Sequence, residues 1–213
     1  MDNITNVRRG VMPENSELLK TFRMYYVQNN AEKDWDLVMV DDTVSVIIYN
    51  KTTEKLIFER RFEPVVFYDE IKKLECKNTE DEAVKYPAEL GFTVQLCTRT
   101  VDKDLPLNEI AKEQIERMCG YKISVDRIEQ AMTFRSDVGA SGAEETLFYC
   151  EVTNADKIGK ATDVDSDDKF VEIVEMSIQE VEQMVGLIVN DRLPPTCLMG
   201  MFWFLRNKAA AKH

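Results

Sequence analysis

The chain of 213 residues contains a single histidine, His213, which is its last residue. A folded body without histidine excludes a Ser-His-Asp triad, a Cys-His nucleophile pair and a histidine-based metal cluster. The five cysteines are widely spaced and form no C-x-x-C motif, which argues against a zinc site and against a disulfide framework. We therefore expect reduced cysteines, with Cys97, Cys119 and Cys150 as small residues of the core.

Long apolar runs are also missing. No stretch of about 18 apolar residues could span a membrane, and the polar start Met1-Asp2-Asn3 does not resemble a signal peptide. These absences predict a cytoplasmic protein, with the nucleus as an alternative, and no membrane partner. The net charge of -12 argues against non-specific nucleic-acid binding, because phosphates would be repelled.

Large apolar side chains are plentiful: ten Phe, seven Tyr and two Trp accompany a hydrophobic fraction of 44%. This composition predicts a folded globular chain with a substantial core. Alternating and β-branched segments predict strands, and their predominance over helices indicates an α+β or α/β class. The predicted strands are residues 22–28, 35–40, 43–49, 55–62, 91–98, 127–135, 146–152 and 170–176. The charged residues 71–89 are predicted to form a long loop.

Three helices are predicted from their ends and their periodicity. One follows Pro106 and runs to Cys119, with Gly120 in the position of a C-terminal cap. A second begins after Ser177, where Glu180 completes a capping box, and the last opens at Pro194-Pro195. The predicted buried faces are Ile110, Ala111, Ile115 and Met118 in the first helix and Leu198, Met201, Phe202 and Leu205 in the last.

A family resemblance is carried by several segments of the chain. The stretch from Thr98 to Tyr121 is similar to the Nudix box, G-x5-E-x7-R-E-U-x-E-E-x-G-U, where U is a bulky apolar residue. The flanking segments 28–36, 43–49, 62–64, 92–97 and 146–149 resemble UDP-glucose pyrophosphatases of the Nudix superfamily, which are themselves similar to ADP-ribose pyrophosphatases. The similarity extends from about residue 18 to residue 206.

The resemblance implies an α/β/α sandwich with a mixed β-sheet and an N-terminal antiparallel β extension. Residues 1–17 are then a flexible arm, 18–42 a dimerising β extension, 43–206 the Nudix domain and 207–213 a tail. Family members commonly dimerise through swapped N-terminal strands, so the resemblance also implies a homodimer.

The box of this chain departs from the family pattern at its acidic positions. When the box is anchored at Gly120-Tyr121 and counted back without gaps, the first glycine becomes Arg99 and the first glutamate Leu105. The R-E pair becomes Glu113-Gln114, and the E-E pair becomes Arg117-Met118. The family uses these glutamates to hold Mg²⁺ against a pyrophosphate, where the metal neutralises charge and activates water.

An arginine at a metal-ligand position opposes the binding of a cation. Two unit charges about 4 Å apart repel by roughly 4 kcal/mol at an effective dielectric constant of 20, and a divalent ion doubles that value. Since each 1.36 kcal/mol is about a factor of ten in rate, the substitution predicts a loss of several orders of magnitude. The family's phosphate-binding arginine is also replaced, by Glu63. Arg61, Glu63, Gly139, Ser141 and Gly142 would then line a vestigial substrate cleft.

A register shifted by one residue offers an alternative. It places Lys112-Glu113 on the R-E pair, and Glu109, Glu113 and Glu116 could share a helix face and hold Mg²⁺. That register puts Gln114 at a core position, whereas the ungapped register puts Ile115 there, with Ala111 one turn earlier. Beside the glycine-containing loop, Glu144 and Glu145 are a possible base or charges at a strand edge.

Three functions remain open at this point. The first is a non-catalytic Nudix-fold binding or scaffold module, with no cofactor and with an unidentified protein partner. The second is an active Mg²⁺-dependent hydrolase of UDP-glucose or ADP-ribose that uses the displaced site of Glu109, Glu113 and Glu116. The third is a sensor that binds nucleotide sugars without cleaving them, an interpretation that Glu63 disfavours.

Overall fold

A computed structural model describes residues 3–4, 7, 10–12, 16, 20–75, 86–159, 171–187 and 192–209. Most of the predicted arm 1–17, the centre of the charged stretch 71–89 and the end of the tail 207–213 lie outside these ranges. No helix in the described ranges is both long enough and apolar enough to cross a membrane. The described strands are β1 (Asn3–Ile4), β2 (Lys20–Gln28), β3 (Ala31–Met39), β4 (Thr43–Asn50), β5 (Lys55–Phe62), β6 (Tyr86–Pro87), β7 (Phe92–Gln95), β8 (Cys97–Thr100), β9 (Ile128–Arg135), β10 (Glu144–Val152) and β11 (Val171–Ser177).

The central sheet has seven strands and is mixed. Its order is β11-β5-β4-β10-β9, with β7 paired to β5 and β8 paired to β4. The pair β4–β10 is parallel, and the other pairs of this sheet are antiparallel. Strand β4 lies at the centre of the order, and its residues from 44 to 50 are buried, as expected for a strand covered on both faces.

Helices cover both faces of this sheet. Strand residues alternate between the faces, so Val44, Val46 and Ile48 join one apolar cluster, while Ile47 and Tyr49 join the other. The first cluster packs against α2 (Leu107–Gln114), and the second against α3 (Ile178–Val185) and α4 (Pro195–Phe204). The predicted α/β/α sandwich with a mixed sheet is confirmed.

The structure corrects four details of the sequence prediction. Helix α1 (Pro64–Glu75) occupies the start of the stretch 71–89 that was predicted to be a loop, and Pro64 is its first residue. The single strand predicted over 91–98 is two strands, which change partner from β5 to β4 at Leu96. The strand predicted from 35 begins at Ala31. In α4 the packing residues are Cys197, Gly200, Met201 and Phe204, whereas Phe202 is 54% exposed.

Helix α4 lies unusually close to the sheet at Gly200. A Cβ atom added there would stand 2.7 Å from Leu96 Cδ1 and 3.2 Å from Ile47 Cγ1. The rings of Phe204 and Tyr49 pack 5.2 Å apart beside this contact. Because residue 200 is glycine, helix α4 can pack this closely against the sheet.

Strands β2 and β3 form an antiparallel hairpin outside the central sheet. Its turn, Asn29-Asn30, has φ values of 54° and 59°, the left-handed conformation that two-residue hairpin turns require and that Asn tolerates. The register places Phe22 opposite Leu37 and Met24 opposite Trp35, so these four side chains share one face. The predicted N-terminal antiparallel extension is confirmed.

Candidate functional site

Helix α2 carries the segment that resembles the Nudix box. It continues as a π-helical turn, Ile115–Cys119, and ends at Gly120, whose φ of 69° is the left-handed cap conformation predicted for it. The predicted buried positions Ala111 and Ile115 are fully buried in the cluster beneath the helix. The ungapped register therefore describes how this helix packs on the sheet.

The two positions after Glu116 have no acidic side chain available to the cleft. Met118 is buried in the apolar cluster beneath α2. Arg117 donates from Nη2 to Gln114 Oε1 at 3.4 Å. Its Nε is buried and has no hydrogen-bond acceptor among the residues that the structure describes. A guanidinium group thus lies where the family resemblance places a metal-binding carboxylate.

Gln114 is buried although it is polar. Its Nε2 donates to the carbonyl oxygen of Thr98 at 2.9 Å, which connects α2 to strand β8, and its Oε1 accepts from Arg117. An amide can satisfy both contacts, whereas an ionised glutamate could not donate to the Thr98 carbonyl. Residue 114 therefore has a structural role that a metal-binding glutamate could not fill.

The remaining box positions are occupied by ion pairs or by solvent-exposed apolar groups. Arg99 on β8 reaches Glu113 Oε2 at 3.3 Å and Asp102 at 3.4 Å. Lys103 Nζ reaches the same Glu113 oxygen at 2.6 Å. The hydrogen bond from Lys103 and its charge, with that of Arg99, lower the pKa of Glu113. Leu105 is exposed in the loop before the helix.

The alternative metal ligands Glu109, Glu113 and Glu116 do not converge. Glu109 pairs with Lys112 at 3.0 Å, Glu113 pairs with Lys103, and Glu116 lies in the π turn. Within the described part of the chain, these three carboxylates do not reach the 4.8 Å mutual spacing at which three side chains could share an ion. The displaced Mg²⁺ site stays a prediction.

The predicted cleft residues Arg61 and Glu63 lie together near the end of β5. Arg61 Nε stands 3.1 Å from Glu63 Oε1, and the same oxygen accepts from Gln95 Nε2 at 2.7 Å. Gln95 also donates to Thr93 Oγ1 at 2.8 Å. This polar row partly neutralises Arg61 and presents a carboxylate where the resemblance implies a phosphate-binding cation.

The loop that contains Gly139, Ser141 and Gly142 is organised by Asp137. Backbone N–H groups of Gly139 and Ser141 donate to its carboxylate at 2.8 and 3.1 Å and lower its pKa. Gly142 has a φ of 69°. The loop also contacts the hairpin, because Trp35 Nε1 donates to Gly139 O at 3.1 Å and the Val38 N–H donates to Ala140 O at 3.0 Å.

The carboxylate of Glu145 is the centre of a buried hydrogen-bond network that sequence spacing does not predict. Glu145 accepts from Ser45 Oγ and from Thr196 Oγ1, both at 2.6 Å, and Ser45 Oγ lies 2.7 Å from Thr98 Oγ1. Glu145 is therefore a buried, hydrogen-bonded residue, whereas Glu144 is half-buried and lies 3.8 Å from Arg135. The isolated Ser45 inside an apolar strand was the one signal in the sequence.

At the box positions of the α2 end of the sheet, Arg117 is bonded to Gln114, and Glu113 is paired with Arg99 and Lys103. A guanidinium group at a position where the resemblance places a metal ligand repels a divalent cation.

The chain is similar in sequence to known UDP-glucose pyrophosphatases. No protein-family model matches the chain. It is 25% identical over 200 residues to the uridine diphosphate glucose pyrophosphatase NUDT14 of Bos taurus, covering 89% of each chain. With the NUDT14 of Mus musculus it is 24% identical over 215 residues, covering 96% of this chain and 95% of the other.

Among solved structures, the crystal structure of an ADP compounds hydrolase matches the whole chain and 96% of its own length, with a TM-score of 0.64 and 8% sequence identity. At that identity the match shows the fold alone. The resemblance predicted from the sequence is confirmed: the chain has the Nudix fold and is similar over most of its length to UDP-glucose pyrophosphatases.

Proposed function

We propose that this chain is a non-hydrolysing Nudix-fold protein that serves as a binding or scaffold module. The observation that carries the proposal is the state of the box helix, where Arg117 and Met118 stand in place of the acidic pair and Gln114 is engaged with β8. A Mg²⁺ ion at this face would meet a guanidinium instead of carboxylates. We further propose that the module works without Mg²⁺ at the box helix.

We also propose a cytoplasmic location, which agrees with four buried, unpaired cysteines among the described residues. A fluorescent fusion that concentrated in a secretory compartment would contradict it. The partner that such a module binds is proposed to be a protein, because the acidic chain disfavours nucleic acid.

The activity assay is direct. The purified full chain is incubated with UDP-glucose and, separately, with ADP-ribose, each with Mg²⁺ or Mn²⁺, and the cleavage of the pyrophosphate bond is followed by release of nucleoside monophosphate. We expect a rate at least about a thousandfold below that of an active relative, because several orders of magnitude are lost with the metal ligands. Metal-dependent turnover near the rate of the relative would refute the proposal.

A matched variant separates true residual activity from contamination. The triple substitution Glu109→Gln, Glu113→Gln and Glu116→Gln removes the carboxylates of the alternative metal site and leaves the core face of α2 unchanged. Turnover that disappears in this variant would establish the active-hydrolase alternative. Turnover that persists in it at the same level comes from a contaminating enzyme.

We propose that the chain forms a homodimer through the apolar face of its hairpin. Phe22, Met24 and Trp35 lie on that face and are 47%, 43% and 53% exposed. A group of exposed apolar side chains of this kind is typical of a protein interface.

The dimer is tested by light scattering after size-exclusion chromatography. Met24→Glu places a charge on the proposed interface and should yield a monomer. Val27→Glu, on the opposite face of the same strand, is the matched control and should leave the dimer intact. A monomeric wild-type chain, or equal dissociation by both variants, would contradict the assignment.

A further inference from the structure

A group of potential metal ligands lies beneath helix α2, away from the box positions. Among the residues that the structure describes, Glu59, Cys97 and Cys119 form the one group of three such side chains whose ligand atoms all lie within 4.8 Å of one another. All three residues are buried, Glu59 with 1% of its surface exposed. They come from three elements: strand β5, strand β8 and the π turn at the end of α2.

The fold brings these side chains together through strand alternation and the π turn. Glu59 faces Gln95 across the β5–β7 ladder, and Cys97 faces Val46 across the β8–β4 ladder. Val46 belongs to the cluster on the α2 side, and so does Cys97. The π turn buries both Met118 and Cys119 in that same cluster, and π turns inside helices often occur at functional sites.

The donor set favours a particular class of ion. Two sulfur ligands select thiophilic cations such as Zn²⁺, whereas Mg²⁺ prefers oxygen ligands alone. With Zn–S bonds of about 2.3 Å and Zn–O bonds of about 2.1 Å, tetrahedral coordination separates the donor atoms by about 3.6 to 3.8 Å. That separation falls inside the 4.8 Å limit within which the three ligand atoms lie.

Metal binding changes the charge of this group, because cysteine binds a metal ion as the thiolate and glutamate binds it as the carboxylate. A divalent ion reduces the charge of three ionised ligands from -3 to -1. Binding therefore breaks two S–H bonds, forms two metal–sulfur bonds and releases the two protons to water, together with any proton on Glu59.

We propose that Glu59, Cys97 and Cys119 form a structural binding site for a thiophilic divalent cation of the Zn²⁺ class, which fastens the end of the box helix to the central sheet. The site is distinct from the Mg²⁺ site of the hydrolase relatives, because its ligands lie within the core and include two sulfur atoms. It revises the sequence-based expectation that these cysteines are only small core residues and that the chain has no zinc site.

Metal analysis of the full chain tests this site. The protein, without a polyhistidine tag, is produced in zinc-supplemented medium, and its zinc content is measured by mass spectrometry of the metal. We expect about one zinc ion per chain. Refolding with Co²⁺ should produce the intense near-ultraviolet absorption of thiolate-to-cobalt charge transfer, which oxygen-only coordination does not give.

Substitutions of the three proposed ligands test which side chains bind the metal ion. Cys97→Ser combined with Cys119→Ser should abolish zinc retention, and Glu59→Gln, which keeps both thiols, should weaken it by about tenfold or more. Cys197→Ser is the matched control, since Cys197 is equally buried on the opposite face of the sheet and should retain the full metal content. Circular dichroism identifies any variant that fails to fold, and Glu59→Gln then carries the test.

Three results would overturn the proposal. Wild-type protein that retains no zinc and shows no cobalt charge transfer would leave the group as packing residues. A chain lighter by two hydrogen masses, with Cys97 and Cys119 protected from alkylation, would identify a disulfide instead. Equal zinc loss in the Cys197→Ser control would show that retention does not depend on this site.

Discussion

The two faces of the central sheet are built differently. On the α4 face, the side chains that pack around Gly200 are apolar, among them Tyr49, Met201 and Phe204. The buried carboxylate on this face, Glu145, lies at the start of α4, where Ser45 and Thr196 donate to it. On the α2 face, the buried residues include Glu59 and Gln114 together with cysteines. The buried Nε of Arg117 lies on the same helix.

The difference between the two faces predicts that substitutions on them change the stability of the fold to different extents. Apolar burial stabilises the fold directly, whereas buried polar groups cost desolvation and add little net stability. The apolar surface around Met201 on the α4 face is therefore expected to tolerate no charge, and Arg117 on the α2 face is expected to tolerate the removal of its charge. Substitutions at Met201 and Arg117 test this contrast, and the effects expected at Asp156 and Ser177 lie between these two.

The largest effect is expected from a charge placed on the apolar face. Met201 is fully buried, and Met201→Arg would introduce an unpaired guanidinium between α4 and the sheet. We expect a loss of about 5 kcal/mol in the free energy of unfolding, enough to make the chain insoluble. Met199→Arg, at an exposed position of the same helix, is the control; equal soluble yields would argue against a tightly packed α4 face.

The ion pair between Arg127 and Asp156 is reinforced by further hydrogen bonds. Arg127 donates to both Asp156 oxygens at 2.7 and 3.0 Å, and Thr153 donates to Asp156 as well. These contacts hold the pKa of Asp156 well below its usual value, chiefly through the Arg127 hydrogen bonds. Asp156→Asn should therefore cost about 2 kcal/mol at neutral pH.

The loss of stability caused by Asp156→Asn is expected to become smaller as the pH falls. A lowered folded-state pKa contributes stability above the unfolded pKa of about 3.9, and this contribution is lost as the pH falls through the folded value. In urea denaturation, the difference between wild type and Asp156→Asn should be full at pH 7 and should shrink steadily below about pH 5. A difference that grew on acidification would contradict the assignment.

A smaller loss is expected at the start of α3, on the apolar side. Ser177 Oγ accepts from the Glu180 N–H, and the Glu180 carboxylate accepts from the Ser177 N–H and hydroxyl, with distances from 2.7 to 3.3 Å. Ser177→Ala removes the cap and should lower the free energy of unfolding by about 1 kcal/mol, measured by chemical denaturation. Ser177→Thr keeps the hydroxyl and should recover most of this loss.

The smallest change in the free energy of unfolding is expected on the α2 face, where a substitution can also increase stability. Arg117→Met keeps a long side chain, removes the buried guanidinium and releases Gln114 from one hydrogen bond. The free energy of unfolding should change by less than about 1 kcal/mol or should rise. A loss comparable to that of Met201→Arg would show that Arg117 supports the fold, and the contrast between the two faces would fail.

Much of the fold was predictable because periodicity and cap chemistry act locally. Strands β4 and β5, the helix after Pro106, the cap at Gly120 and the Ser177 capping box all follow from short-range rules and are confirmed. Helix α1 was missed because its charged residues resemble a solvated loop. Its burial depends on tertiary packing, which places Phe67 beside Phe62.

The candidate site could be predicted only where its residues lie within one continuous segment of the chain. Counting along the box located Arg117 and Met118, but sequence spacing cannot bring Glu145 to Ser45 and Thr196, or Glu59 to Cys97 and Cys119. Those groups join strands and helices far apart in the chain, and their assembly depends on sheet register. The predicted metal ligands Glu109, Glu113 and Glu116 have nearby lysine or arginine partners at two positions, which periodicity does not reveal.

Two hydrogen bonds, from Trp35 and Val38, join the hairpin to the Asp137-centred loop. A molecule that bound the hairpin and strengthened these bonds would stabilise the loop. A ligand of the loop that strengthened them would stabilise the hairpin by the same coupling free energy. Amide exchange at Ala140 and Ser141 is a reporter of this coupling, although neither residue belongs to the hairpin.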